Sequence, residues 1–359
     1  MGITTVSRED LRQIVIHELY AHPKWPSMSL AKHIMSEYKL AGVTTAEKLR
    51  YRIRYLRGNR KEHQPRIKDF IRPDGKRTDR WASLPEGFRE IDWTPLEIHA
   101  RTTLVLSDIH FPNHDKAALI AAMRHGKKVG ADCILLNGDI LDCNAYSRWP
   151  RDPHQMMTMP GFRLFYDFFE RLIEDFPRAQ VIYKFGNHEE RWIHYLWTHG
   201  PELCLADDNG GFPGLDFVLK NPEAIGIKVS NKIKDRLQRV TFITQRRPIK
   251  IGLLFVLHNH EIARGSLYTP VNAARGAFLR TLTCVLIGDR HQSSSHRETR
   301  LNGELISAWS AGCLCDLHPR YSPHNPRWNH GFAVVRLDKD GENFSCENYI
   351  VLNGHVYPA

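Results

Sequence analysis

Five short apolar runs in this chain each stop at a cluster of potential metal ligands. Thr103-Leu104-Val105-Leu106 leads into Ser107-Asp108-Ile109-His110, and Ile134-Leu135-Leu136-Asn137 into Gly138-Asp139-Ile140-Leu141-Asp142. Val181-Ile182-Tyr183-Lys184-Phe185 leads into Gly186-Asn187-His188-Glu189. Leu253-Leu254-Phe255-Val256-Leu257 leads into His258-Asn259-His260, and Val285-Leu286-Ile287 into Gly288-Asp289-Arg290-His291. Short runs of this kind predict buried strands. Residues two apart just past a strand end, such as Asp108 and His110, point the same way and make half of a metal site. A lone Asp-x-His is ordinarily a turn with a satisfied histidine. Five such strand ends predict one shared centre, because open α/β sheets place their sites at the carboxyl ends of strands.

Between these runs the spacing predicts helices over 115–128, 161–176 and 189–198. After His291 it predicts strands over 298–301, 305–309, 332–337 and 344–352. Residues 200–235 show no clear period. Lying between the third and fourth motifs, they are expected to form a substrate-facing cap. Together these elements suggest two packed sheets flanked by helices.

In order and type the motifs resemble those of the calcineurin-like metallophosphoesterase superfamily: Asp-x-His, Gly-Asp-x-x-Asp, Gly-Asn-His-Asp/Glu, a lone His, and Gly-His-x-His. The resemblance covers roughly residues 101 to 355, and the first four motifs match residue by residue. The fifth departs, with Asp289 where the first His of Gly-His-x-His belongs. The resemblance implies an α/β fold, a four-layer α/β/β/α sandwich, here joined to a small all-α N-terminal domain. It implies a first ion on Asp108, His110, Asp139 and His291, and a second on Asp139, Asn187, His258 and Asp289. The shared Asp139 would set the ions roughly 3.5–4 Å apart, with a hydroxide bridging them for in-line attack on phosphorus. Mixed imidazole and carboxylate ligands suit Mn²⁺ first, then Fe or Zn, with Mg²⁺ less favoured. His188 would be general acid or charge stabiliser at the leaving oxygen, oriented by Asp142. Phosphoprotein phosphatases carry an Arg after that Asp. Here Cys143 stands there, which argues against the Ser/Thr protein phosphatase branch. Arg191, one helical turn past His188, is the candidate to bind phosphate in its place, or else forms a surface salt bridge. His114 and His260 read as local hydrogen-bonding residues.

With 42% hydrophobic and 25% charged residues among 359, the composition is that of a globular protein of about two domains. The longest apolar run, 251–257, is far too short to span a bilayer, so no membrane partner is expected. The N-terminus lacks the features of a secretory signal, and seven cysteines without framework spacing read as reduced thiols of a cytoplasmic protein. No Cys-x-x-Cys occurs, which argues against cysteine-bound zinc.

The net charge of +10 is unevenly spread. Residues 1–100 hold 19 Lys and Arg against 13 Asp and Glu, so +6 lies in the smaller part. Residues 1–58 read as three helices. Ser7 with Asp10 begins the first, which Pro23 and Pro26 end; Thr44 or Thr45 caps the third, and Gly58 closes it. Arg50, Arg54 and Arg57 share a face of that third helix, with Arg52 nearby. This pattern resembles a helix-turn-helix module presenting arginines to nucleic acid, with DNA the expected partner. A small helical bundle docking on the catalytic domain or on a partner protein is the alternative. Residues 59–100, rich in Pro and Gly, read as a basic linker, with Phe70, Trp81, Phe88 and Trp93 expected to pin it to the catalytic domain, residues 101–359.

The segment from Gly312-Cys313-Leu314-Cys315-Asp316 through Trp328 to Gly331-Phe332 is similar to phage and prophage metallophosphoesterases labelled repair exonucleases. The expected function is a dinuclear-metal phosphodiesterase or nuclease acting on DNA, in the cytoplasm of a bacterium or of a phage-infected host. A phosphomonoesterase on a nucleotide or other small substrate is one alternative. A DNA-binding protein with a degenerate site is the other.

Overall fold

The computed structural model describes residues 8–57, 93–150, 158–204, 214–262, 272–319 and 327–359. The chain divides into two compact units, Met1–Arg89 and Glu90–Ala359. Among the described residues no helix is long and apolar enough to cross a membrane.

The first unit contains three helices, α1 (Arg8–Ala21), α2 (Ser27–Glu37) and α3 (Ala46–Leu56). Their apolar stripes meet in a core of Val15, Leu19, Leu30, Ile34, Leu49, Ile53 and Leu56. Thr45 caps α3, its hydroxyl accepting the Lys48 N–H at 3.3 Å. Helix α1 stops at Ala21, two residues ahead of Pro23, as a proline without an N–H requires. The expected caps Ser7 and Gly58 lie outside the described residues, as do Phe70, Trp81 and Phe88.

The second unit holds two sheets. One has seven strands in the order β13-β12-β11-β2-β3-β4-β5: β2 (Thr102–Leu106), β3 (Cys133–Asn137), β4 (Gln180–Lys184), β5 (Thr241–Ile243), β11 (Gly331–Leu337), β12 (Phe344–Leu352) and β13 (His355–Pro358). The other has six in the order β1-β6-β7-β8-β10-β9: β1 (Leu96–Glu97), β6 (Ile249–Ile251), β7 (Leu254–His258), β8 (Val285–Gly288), β9 (Ser294–Thr299) and β10 (Leu305–Ser310). Strands β2, β3 and β4 pair in parallel, and so do β7 and β8. All five motif-bearing strands therefore present their carboxyl ends in register with a neighbour.

The period-two alternation of buried strands sorts side chains between layers. Leu104, Leu106, Ile134, Leu136, Val181 and Tyr183 cluster with α4 (Lys116–Lys128) and α5 (Thr158–Asp175). Val105, Leu135 and Ile182 point the other way, joining Val256, Leu286 and Ile249 between the sheets. Helix α9 (Ala273–Thr281) covers the far face with Phe278 against Val285 and Ile287. The result is the expected α/β/β/α sandwich.

Five differences separate the structure from the sequence-based expectations. Residues 200–235 are not a cap where described: α7 (Leu215–Lys220) and α8 (Asn231–Gln238) bury Leu215, Val218, Leu219, Ile233 and Leu237 in the helix–sheet core. Helices of six and eight residues are too short to show a clear period. Strands β1, β5, β6 and β13 have two to four residues each and were likewise illegible. The stretch read as linker ends inside the fold, since Leu96 and Ile98 donate to Pro248 O and Lys250 O, both at 2.9 Å, and Ile98 is buried. Trp93, expected to dock, is 59% exposed. Strand β9 starts at Ser294, four residues before the expected 298, and a turn over 300–303 follows it.

Candidate metal centre

The backbone past three of the five strand ends is held in a conformation that most residues avoid. Asp108, His110, Asp139, Asp289 and His291 have φ of 57°, 54°, 54°, 72° and 53°. The left-handed region is costly for residues with a Cβ, and Asp and His are among those that tolerate it. Asp108 and His110 flank a fully buried Ile109 and are themselves buried, so the chain is anchored in the core on both sides of the ligand pair. The loops after β2 and β3 stay paired beyond the strands. Asp108 N–H donates to Gly138 O at 3.1 Å, His110 N–H to Asp139 O at 2.9 Å, and Phe111 N–H to Ile140 O at 2.8 Å. Gly138, at φ 84°, lies so close under His258 that a Cβ would overlap its Nδ1.

Helix α6 (Asn187–His199) begins directly at the site. The carboxylate of Glu189 is buried there and accepts four backbone N–H groups: Gly186 at 2.9 Å, Asp139 at 3.0 Å, Ile140 at 2.8 Å and Leu141 at 2.9 Å. It also accepts the Tyr183 hydroxyl at 2.9 Å. The motif Gly186-Asn187-His188-Glu189 does not by itself assign this task to Glu189. A signal for it lies in the sequence, since an acidic residue three past the N-cap, here Gly186, is where a capping box puts one.

Inside this frame the acceptors converge. Asp139 Oδ1 accepts the His188 N–H at 2.9 Å. Its Oδ2 faces three imidazole nitrogens: His258 Nε2 at 3.4 Å, His188 Nε2 at 3.7 Å and His110 Nε2 at 3.8 Å. Asp108 Oδ2 accepts the Asp289 N–H at 2.9 Å, while Oδ1 faces His291 Nε2 at 3.2 Å. His110 Nε2 and His291 Nε2 face each other at 3.3 Å. Asp289 Oδ1 sits 3.8 Å from His258 Nε2, and Asn259 donates to its Oδ2 at 3.1 Å. Asn187 Oδ1 is buried without a hydrogen-bond partner. The structure thus draws Asp108, His110, Asp139, His258, Asp289 and His291 together, with Asn187 opening α6 beside them.

These residues fit divalent cations. His258 Nδ1 lies 2.9 Å from Asn137 O, which fixes the N–H there and turns the Nε2 lone pair toward Asp139. Asp108 Oδ1, Asn187 Oδ1 and His258 Nε2 are all buried with no hydrogen-bond partner. Lone pairs of this kind aimed at one another are costly unless a cation lies between them. The electrostatics agree. Burial raises the pKa of Asp139, but the His188, His258 and His110 imidazoles outweigh it and hold the carboxyl well below its ordinary range. Burial lowers the pKa of His258 and His291, yet Asp139 and Asp108 push both well above the usual imidazole value.

His188 stands differently. Its Nδ1 lies 2.8 Å from Asp142 Oδ1 and 2.9 Å from Asp142 O, while Arg191 Nη2 donates toward Nε2 at 2.7 Å. Arg191 Nη1 also donates to Asp142 O at 3.0 Å. Burial raises the Asp142 pKa, but hydrogen bonds from His110 and His188 pull it below the usual carboxylate range. Arg191 thus lies against His188 and also pairs with Asp142, its Nη1 3.7 Å from Asp142 Oδ1.

Cys315 was not among the expected neighbours, yet its Sγ is 3.8 Å from His291 Nδ1, and it groups with His110 and His291. It arrives by a loop after β10 whose Leu314 N–H donates to Asp108 O at 3.0 Å. His114 bonds locally to Pro112 O at 3.3 Å. His260 Nε2 meets Glu190 Oε1 at 3.0 Å, and Arg246 grips the same Glu190 carboxylate at 2.9 and 2.8 Å. Beside Asn187 and Arg191 opens a cleft of about 990 Å³, lined also by Tyr146, Arg148, Trp149 and Tyr195. The Arg148 guanidinium lies 5.1 Å from the Trp149 ring centre.

In the first unit the three arginines of α3 and Arg57, which follows it, differ from one another. Arg50 pairs with Glu47 at 3.2 Å, and Arg54 is exposed. Arg57 is used internally, donating to Ser27 Oγ at 3.0 Å and Pro23 O at 3.3 Å. Arg52 is half-buried, with Nη1 lacking a hydrogen-bond partner.

Comparison with known proteins gives one family. The model described as "Calcineurin-like phosphoesterase" matches residues 101–309. No curated protein matches the chain. Among solved structures, vacuolar protein sorting 29 of Cryptosporidium parvum is 13% identical, covering 72% of this chain and 96% of its own, with a TM-score of 0.34. YfcE, a phosphoesterase from E. coli, is 16% identical over 70% of this chain and 93% of its own, at 0.31. A dimetal phosphatase from Danio rerio is 12% identical over 72% and 98%, at 0.27.

Proposed function

Since the chain belongs to the calcineurin-like phosphoesterases, a family of metal-dependent phosphoester hydrolases, we propose that it is a two-metal phosphodiesterase that cleaves DNA. The observation that carries the choice of substrate is the cleft beside Asn187 and Arg191. Tyr146, Trp149 and Tyr195 offer π-faces there, next to the cations of Arg148 and Arg191. Stacking surfaces interleaved with positive charge are what a single strand's bases and phosphates require.

In this reading Asp108, His110, Asp139 and His291 hold one ion, and Asp139, Asn187, His258 and Asp289 the other, with Mn²⁺ best suited to the mixed oxygen and nitrogen set. Such ions supply charge stabilisation on phosphoryl oxygens and a water acidic enough to act as nucleophile near neutral pH. His188 protonates the leaving oxygen. Asp142 fixes its ring through Nδ1, leaving Nε2 as the nitrogen that exchanges protons with substrate. Arg191, lying on that nitrogen at 2.7 Å, moves its charge onto the entering phosphate. Glu189 holds the loop that presents Asp139. Asp289 adds a negative charge where the family places an imidazole, which disfavours a dianionic monoester more than a monoanionic diester. The three-helix unit, with Arg50, Arg52 and Arg54 on α3, holds DNA as a helix-turn-helix-like module. The protein acts in the cytoplasm of a bacterium or phage-infected host.

The test offers the Mn²⁺-loaded protein plasmid, single-stranded DNA, p-nitrophenyl phosphate and bis-p-nitrophenyl phosphate side by side. Cleavage of DNA and a diester rate above the monoester rate are expected. Faster monoester turnover with intact DNA would establish a phosphomonoesterase instead. DNA binding with no turnover would mark a degenerate site.

A further inference from the structure

The first unit contains a cluster that the phosphoesterase site does not use. Glu18 and His22 lie four residues apart on α1, so they share a face. His33 comes from α2 and meets them. Glu18 Oε2 is 3.2 Å from His33 Nε2 and 3.7 Å from His22 Nε2. Donors bound at about 2.0–2.2 Å around a tetrahedral ion stand roughly 3.3 Å apart. The Glu18 side chain is only 7% exposed, and its Oε2 is buried with no hydrogen-bond partner. The other oxygen, Oε1, accepts the Tyr38 hydroxyl at 2.8 Å, which fixes the carboxylate's orientation. Trp25 stacks on His22 with ring centres 4.0 Å apart and meets His33 edge-on at 5.3 Å. Both imidazoles are thus braced, and a second layer of hydrogen bonding and packing is what built metal sites show.

We propose that Glu18, His22 and His33 bind a structural divalent ion of the Zn²⁺ class, with water completing the shell. The ion would staple α1 to α2 across the turn that carries Pro23 and Pro26. A helical core of this size gains little from apolar burial alone, and a metal is one of the usual remedies. The site is independent of the phosphoesterase reading.

The experiment uses the full-length chain reconstituted with Zn²⁺ and freed of excess ion. Wild type and a His22→Ala/His33→Ala variant are compared for bound metal by mass spectrometry. Both imidazoles are about a third exposed, so their loss leaves the helical core in place. The variant is expected to hold one ion fewer per chain, with bis-p-nitrophenyl phosphate turnover unchanged. Equal metal content would overturn the proposal. Should the variant fail to fold, wild-type protein with ¹⁵N-labelled histidine is titrated with Zn²⁺ instead. The Nε2 resonances of His22 and His33 should move together as the ion binds there. If both stay unmoved at saturating Zn²⁺, the cluster is a hydrogen-bonded group and no metal site.

Discussion

The Glu189 carboxylate accepts the backbone N–H of Asp139 at 3.0 Å, so a side chain at the head of one helix holds the main chain of the residue at the centre of the ligand cluster. The same carboxylate takes the N–H groups of Ile140, Leu141 and Gly186. Asp139 sits at φ 54°, and this grip supports a conformation the chain would otherwise leave.

Glu189→Gln is expected to lower both thermal stability and metal content. The amide keeps one acceptor oxygen but turns an NH₂ toward backbone donors in a fully buried pocket. Each hydrogen bond to a buried charge contributes about 1.5–3 kcal/mol, so a loss of roughly 3 kcal/mol or more is expected. Calorimetric unfolding with metal analysis checks this. A variant matching wild type in both would show that the loop holds itself.

Asp139→Ala and His188→Ala should separate in their effects. The first removes the oxygen that faces His258, His188 and His110, so bound metal should fall along with turnover. The second should keep its metal and lose about 10²–10⁴-fold in rate, the usual worth of a general acid. Metal content near wild type in the Asp139 variant would contradict its bridging place.

Asp289→His should raise monoester hydrolysis relative to diester hydrolysis, with the ion count unchanged. Asp289 Oδ1 lies 3.8 Å from His258 Nε2, within reach of an ion shared with it. Replacing its charge with a neutral imidazole makes a dianionic phosphate less unwelcome. One ion per chain in the parent and two in the variant would instead mean that Asp289 leaves the position weak.

The salt dependence of DNA binding should flatten when Arg50 and Arg54 are both changed to Gln. Each phosphate contact contributes about 0.9 to the slope of log K against log salt, so the pair should reduce it by roughly two. Arg57 is left in place because it holds Ser27 and Pro23. An unchanged slope would remove α3 as the DNA-facing element.

What the sequence determined by itself was local. Each motif strand is a short, mostly apolar run, and its ligands follow within one to five positions. Strand and ligands therefore appear in one window, and Asp108, His110, Asp139, His188, His258 and His291 could be read directly. The three N-terminal helices were legible for the same reason, since the period of α3 and its Thr45 cap lie within a dozen residues. Tertiary structure alone decided what depends on residues distant in the chain. Asp139 Oδ2 meets nitrogens from the ends of three different strands. Glu189 reaches back 50 residues to the Asp139 N–H, and Cys315 comes alongside His291 from 24 residues away. Arg57 looked like a groove-facing arginine by helical spacing, yet it closes onto a carbonyl 34 residues earlier. Leu215 and Leu237 sit in a stretch too short in period to announce a core. Hydrophobic periodicity and capping act over a few residues, so sequence carries them. The contact of a carboxylate with a distant backbone or imidazole depends on how strands are ordered and registered, and only the folded chain supplies that.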